Sequence, residues 1–435
     1  MGEYMITTTS TTFRQRLAAG VAVLGLVVAA CGSDDAESEP AATESDSASA
    51  SDSASASDSA SASDSASASE PMDEESSASE PMDEEAMDEE AMDEEAMDEE
   101  AMDEEPAGDL MSFDANGDGE VRIGIAAAGP RDDGAYYQAV VDAAEEFSAD
   151  NGLGEVIVVD NIQSADAATE LSNLAQQPID IVIVGASEIA EPMADLAEEF
   201  SDLFWYCNCG AGFPESDFYL QSLDNGPGIA YTAGVATGIL LRDSGGDSVS
   251  FIGCCDLGFE IEHYLAYEFG LKSVDESLEF IYVPSGDFPF DFDNVQNASA
   301  AFENAVAGGS EAVYPYLGGA HEPVVQLANE AGLIVMSAGA SDVCTREGDL
   351  SWDIAVRFDG GDYVKEIFPQ IFAGTAGEGD VISYSPGEEP DVAGARLCNG
   401  TPEQDAELQE AYDLVASGEL DAEFGRISGE AFGGG

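Results

Sequence analysis

The chain has 435 residues, of which 91 are Asp or Glu and 11 are Lys or Arg, a formal net charge of −80 at pH 7. A surface of that sign repels nucleic acid and anionic lipid, which argues against both as partners of the folded part. The length allows two lobes of ordinary domain size.

In chain order, Arg14 and Arg16 come first, followed by an uncharged apolar run over 17–28. Its length suits the hydrophobic region of a signal peptide and falls short of the ~20 apolar residues of a spanning helix. The run closes on Val28-Ala29-Ala30-Cys31 and continues Gly32-Ser33-Asp34-Asp35. That junction resembles the lipobox of bacterial lipoproteins. The resemblance implies a signal peptide over 1–30, a diacylated and N-acylated Cys31, and a chain anchored on the extracytoplasmic face of the cell membrane. At ~0.8 kcal/mol per buried methylene, several acyl chains hold almost irreversibly. No later apolar stretch is long and unbroken enough to span a bilayer.

Residues 31–111 are low in complexity. A Ser/Ala/Asp tract over 45–69 gives way to the pentad (Pro or Ala)-Met-Asp-Glu-Glu, which occurs six times, at Pro71, Pro81, Ala86, Ala91, Ala96 and Ala101. This composition cannot bury a core and repels itself, so it reads as a disordered, solvated tether. A coil of ~75 residues reaches roughly 50 Å, and further when charged. Its carboxylates could also hold Ca²⁺ loosely, without a preformed cage. Residues 111–435 still carry 60 acids against 9 bases. Salt shortens the Debye length from ~10 Å at 0.1 M to ~3 Å at 1 M, which predicts a salt-tolerant or salt-requiring fold. A melting temperature that fails to rise between low and molar salt contradicts this.

The ligand-binding part is expected over 112–435. Asp114-Ala115-Asn116-Gly117-Asp118-Gly119 opens like an EF-hand calcium loop, but position twelve is Ile125 rather than Glu. A turn before the first strand is the simpler reading. Strands are predicted over 121–127, 156–159, 179–184 and 203–206, separated by helices over 133–150, 165–177 and 189–200. After Gly226 the pattern restarts, with helices over 229–241, 260–269, 294–307 and 322–331 and strands over 249–252, 279–283, 312–316 and 333–336. Such alternation means α/β architecture with parallel sheets covered on both faces. Two runs give two doubly wound lobes joined by a hinge, about 119–224 and 225–340, with 341–435 crossing back. Ligands of such sheets bind beyond the carboxyl ends of the strands. The loops of interest therefore follow Ala127, Val184, Tyr206, Ile252, Val283, Tyr316 and Met336.

Apart from Cys31 the cysteines are Cys207, Cys209, Cys254, Cys255, Cys344 and Cys398. Export permits disulfides, and six cysteines allow 15 connectivities, among which the sequence does not choose. Cys344 with Cys398, leaving the other four as a separate group, is the working expectation; free buried thiols are the alternative. With two histidines and no CxxC pair of finger spacing, zinc is not expected. The pair Cys254-Cys255 at a strand end reads as structural, bridged elsewhere or redox-active.

The first ligand loop runs Gly129-Pro130-Arg131-Asp132-Asp133-Gly134-Ala135-Tyr136-Tyr137-Gln138. Asp133 suits a helix cap. Of two adjacent tyrosines, one can pack inward while the other offers a flat face and a hydroxyl to a ligand. Residues 132–138 resemble the Asp-Asp-x-Ser-Phe-Asn-Gln loop of the basic membrane protein (BMP) family, substrate-binding lipoproteins of ABC importers, many of which bind nucleosides. The resemblance covers about 121–385. Gly253-Cys254-Cys255-Asp256 through Phe269-Gly270 is similar to the family's Gly-Gly strand end and following helix. Gly308-Gly309-Ser310-Glu311-Ala312-Val313 is similar to its G-x-D-V-I strand, and Tyr316-Leu317-Gly318-Gly319 falls on its Gly-Gly ligand loop. Ser337-Ala338-Gly339-Ala340-Ser341-Asp342 falls near its Gly-Val-Asp turn, whose Asp binds sugar hydroxyls.

The resemblance implies a type I periplasmic-binding-protein fold that captures a small solute, a nucleoside or related sugar-bearing molecule, for an ABC permease. It implies a ligand set of Asp133, Tyr136, Tyr137, Gly253, Asp256, Tyr316, Gly318, Gly319 and Asp342. Tyr136 takes the place of the family's base-stacking Phe. Tyr137 replaces its Asn, and its nucleoside-contacting Lys has no counterpart, Arg346 and Arg357 being the nearest cations. His321 is read as a surface helix start or a ligand contact, His263 as packing or surface, and Trp352 as cleft wall or hinge core. A ligand sensor without transport, or a receptor for another small solute, uses the same fold. No Gly-x-Ser-x-Gly or His-Glu-x-x-His motif occurs, so no enzyme, catalytic residue, metal or cofactor is expected, and the protein is expected to be a monomer.

Overall fold

The structure is a computed structural model that describes residues 110–210, 213–286 and 292–433. The signal run, Cys31 and the pentad repeats lie outside the described residues. Within those residues no helix is both long and apolar enough to cross a membrane.

The first lobe alternates strand and helix: β1 (Ile123–Ala126), α1 (Tyr136–Asn151), β2 (Ile157–Val159), α2 (Ala167–Ala175), β3 (Ile181–Val184), α3 (Met193–Glu199), β4 (Phe204–Asn208) and β5 (Leu220–Asp224). Every residue of β1 and β3 is buried, which is why both read as unbroken apolar runs: helices cover each face of the sheet. The second lobe follows with α4 (Gly226–Ser244), β6 (Ser248–Gly253), α5 (Gly258–Val274), β7 (Glu279–Pro284), α6 (Val295–Gly308), β8 (Ala312–Pro315), α7 (His321–Ala331) and β9 (Ile334–Val335). The last part of the chain adds β10 (Ile354–Phe358), α8 (Gly360–Ala373), β11 (Val381–Tyr384), β12 (Ala393–Leu397), α9 (Pro402–Ala416) and α10 (Asp421–Phe432).

The first sheet has the order β11-β5-β4-β3-β1-β2 and is parallel throughout. The second is the parallel set β7-β6-β8-β9. A bridge from Met336 to Ile354 extends it to β10, which pairs antiparallel with β12. Three chain segments pass between lobes: β5 into α4, β10 into α8, and β11 into β12. In the first lobe α8 packs on α1, and in the second α4 packs on α5.

Two local differences from the sequence reading bear on function. Helix α1 starts at Tyr136 rather than at residue 133, because Gly134 takes φ +72° and turns the chain before the helix begins. Strand β5 was not anticipated, since Leu220-Gln221-Ser222-Leu223-Asp224 neither alternates nor carries a β-branched residue.

The calcium-like loop is a turn: Asp114 accepts the backbone N–H groups of Gly117, Asp118 and Gly119. His321 does not lie on the surface. Its imidazole is buried, with Nε2 3.3 Å from the Met336 carbonyl and the ring against Trp352, so burial pushes it down to about 4. Trp352 belongs to the apolar core of the second lobe. The disulfides join Cys207 to Cys209, Cys254 to Cys255, and Cys344 to Cys398.

Candidate functional site

The carboxyl ends of β1, β3, β4, β5, β8 and β10 converge on one cleft between the lobes, enclosing about 1520 Å³ with its open mouth included. Predicted positions Asp133, Tyr136, Tyr137, Tyr316 and Gly318 line it.

Asp133 does two things there. Its carboxylate accepts the N–H groups of Ala135, Tyr137 and Gln138 at 2.9, 3.3 and 3.0 Å, capping α1 from two residues before the N-cap position Ala135. It is also buried at the cleft wall, and that burial raises its pKa against the pull of the three N–H donors. The cap fixes the two tyrosines of the first turn. Tyr136 Oη donates to the Asn208 carbonyl at 3.2 Å, and the Tyr136 and Tyr137 rings meet edge to face at 5.6 Å. Beside Tyr137 an amide reaches the cleft, from Asn208 at the end of β4. That amide is engaged: Nδ2 donates to the Gly360 carbonyl and Oδ1 accepts from Ser222 Oγ.

The second lobe supplies an aromatic wall. Tyr316 packs against Phe358 with ring centroids 5.7 Å apart and against His263 at 4.7 Å. Phe259 and Phe292 stack beside them at 6.3 Å. His263 lies within the wall rather than on the surface, its Nε2 2.9 Å from Tyr314 Oη, and burial pushes it down to about 3, so it is neutral near pH 7.

Four predicted positions are not brought to the cleft. Gly253 ends β6 behind it, where a side chain would run into the Glu260 carboxylate. Asp256 is exposed and takes φ +57°. Gly319 sits one residue beyond the lining, its N–H donated to Asp293. Asp342 is exposed and paired with Arg346, whose Nη2 lies 2.6 Å from Oδ1. Its contribution is indirect, because Arg346 reaches across the mouth to the Gly134 carbonyl at 3.4 Å and to Glu322 at 3.3 Å. Arg357 is turned away altogether: it is buried and donates to Asp391, the Gly394 and Ala393 carbonyls and Tyr412 Oη, tying β10 to β12.

Sequence reasoning missed most of the cleft's charge. Glu188, Asp224, Glu262 and Asp293 line it beside Asp133. Burial holds Asp224 up at about 6 and raises Glu188 and Glu262 as well. Glu188 was within reach of the sequence, since it lies in the loop after Val184. The others depend on β5, on the inward face of α5 and on the loop before α6.

The comparisons agree with this architecture. The family profile described as ABC transporter substrate-binding protein PnrA-like (Bmp) matches residues 120–343. An ABC transporter system solute-binding protein from Conexibacter woesei DSM 14684 is similar in structure, with a TM-score of 0.52 and 20% identity over 69% of this chain and 97% of that one. A solute-binding protein of an ABC transporter system from Aeropyrum pernix K1 gives a TM-score of 0.54 at 14% identity, over 72% of this chain and 90% of that one. At such identities the likeness concerns the fold. No curated protein sequence matches the chain.

Proposed function

We propose that this chain, which belongs to the Bmp family of PnrA-like ABC transporter substrate-binding proteins, is a lipid-anchored receptor that closes two lobes on a small solute and hands it to an ABC permease. Cys31 carries the lipid in this reading, and the acidic repeats let the binding domain reach away from the bilayer. The protein acts as a monomer and catalyses nothing; ligand burial drives closure about the hinge.

The observation that supports solute capture is the cleft at the strand ends, where Tyr136 and Tyr137 of one lobe oppose Tyr316 of the other. Flat aromatic faces suit a planar base, and carboxylates accept paired hydroxyls, so a nucleoside or related sugar-bearing molecule is the solute we favour. A thermal-shift screen of the full chain in high salt, against nucleosides, bases and sugars, tests it. Stabilisation by nucleosides is expected. Stabilisation by sugars or amino acids alone removes the nucleoside reading and leaves the capture role standing.

A further inference from the structure

Among the described residues the cleft is lined by five carboxylates, Asp133, Glu188, Asp224, Glu262 and Asp293, and by no Lys or Arg. These acids come from both lobes: Asp133, Glu188 and Asp224 from the first, Glu262 and Asp293 from the second. Asp293 of the second lobe adds to the rise in the pKa of Asp133, and Asp224 of the first adds to that of Glu262. Closing the lobes on a neutral or anionic solute therefore gathers like charges into a site that is losing its water, where each repulsion grows. A positive charge on the solute reverses the sign of that cost.

The aromatic groups point the same way. Asp224 lies within electrostatic reach of Tyr136, Tyr316 and Tyr363, one tyrosine from each of three separate elements. Faces of this kind attract cations. Tyr363 is 2% exposed and lines the cleft, yet its hydroxyl has no hydrogen-bond partner among the described residues. A buried polar group left unmatched marks a place where a bound molecule completes the site.

We infer that the solute carries a positive charge, a protonated or quaternary nitrogen seated at Asp224 among Tyr136, Tyr316 and Tyr363, with Glu262 as the second carboxylate. This deepens the capture reading and rests on it. Anionic solutes such as nucleotides are rejected by the same groups.

The test uses pairs that differ in charge and little else, titrated calorimetrically into the full chain in molar salt. One pair is 1-methyladenosine, a cation, against neutral adenosine, with adenosine 5′-monophosphate as the anion. The other is choline against neutral 3,3-dimethylbutanol. The cation of a pair is expected to bind at least about tenfold more tightly than its neutral partner, the scale of one desolvated cation–aromatic and carboxylate contact. Asp224→Asn should reduce that ratio about tenfold. Glu262→Gln is the second variant, should Asp224→Asn fold poorly, and melting curves certify both. Removing one charge from a chain of net −80 leaves its general attraction for cations intact, so loss of the ratio reports the site itself. Equal or tighter binding of the neutral or anionic member overturns the inference, as does a ratio unchanged in both variants. Failure of every nucleoside, charged or not, removes the nucleoside reading instead, and the choline pair still decides the charge.

Discussion

Replacing Asp133 with alanine leaves the N–H groups of Ala135, Tyr137 and Gln138 without their acceptor, at a position that is 6% exposed. Loss of a helix cap costs ~0.5–2 kcal/mol, and here water cannot easily replace the carboxylate, which places the cost near 2 kcal/mol. In a domain of this size each kcal/mol moves the melting temperature by about 2–4 °C, so a fall of about 4–8 °C is expected. The first turn of α1 carries Tyr136 and Tyr137, so loosening it should weaken solute binding as well. Asp133→Asn keeps an oxygen acceptor and removes a charge that burial disfavours. It should recover the melting temperature to within about 2 °C of the parent. Affinity in that variant then separates the two uses of the residue: restored binding assigns Asp133 to the cap, and binding that stays weak assigns its charge to the solute. Scanning calorimetry in molar salt, followed by titration with the best-stabilising solute, provides both numbers. An alanine variant that melts with the parent, or an asparagine variant as damaged as the alanine one, refutes the capping argument.

Asp342→Ala should change affinity by less than about fivefold, the ~1 kcal/mol ceiling of an exposed ion pair. Tyr136→Ala should cost more than about tenfold, as loss of a central aromatic does; equal titration losses in the two would return Asp342 to the ligand set. The Cys344–Cys398 disulfide spans a sequence separation of 54, so Cys344→Ser should cost about 4 kcal/mol by the chain-entropy argument, read from denaturant midpoints under oxidising conditions. A cost below about 1 kcal/mol contradicts that account. Asp359 caps α8 and is held up at about 6 by burial and by neighbouring Asp362. Its folded pKa stands above the unfolded value of 3.8, so folded protein takes up the proton first and gains stability as pH falls from 7 towards 4. Relative to Asp359→Asn, the parent should gain about 2 kcal/mol over that range, and an opposite slope in paired melts removes the explanation.

The alternating layers were legible because strands buried on both faces must be apolar at consecutive positions, as Ile181-Val182-Ile183-Val184 is. The tyrosine pair and the Tyr316 loop were legible because such folds place their ligand loops after particular strands. The carboxylate lining was not. Glu262 sits on α5, whose apolar and polar residues are spread around the helix with little sidedness, so periodicity did not reveal its inward face. Tyr363 reaches the cleft only because the chain returns to the first lobe, and that return depends on long-range contacts, α8 on α1 and β11 on β5, rather than on any local pattern. Asp342 lies outside the lining for a related reason: it is exposed and holds Arg346 at the mouth.

The order β11-β5-β4 carries a consequence for biosynthesis. Strand β5 leaves the ribosome before any of the second lobe, and its outer edge stays bare until β11 follows the whole β6–β9 sheet. Helix α8, which covers α1, arrives equally late. The first lobe therefore cannot be completed until α8 and β11 have been made, and an open parallel edge with no local partner closes slowly.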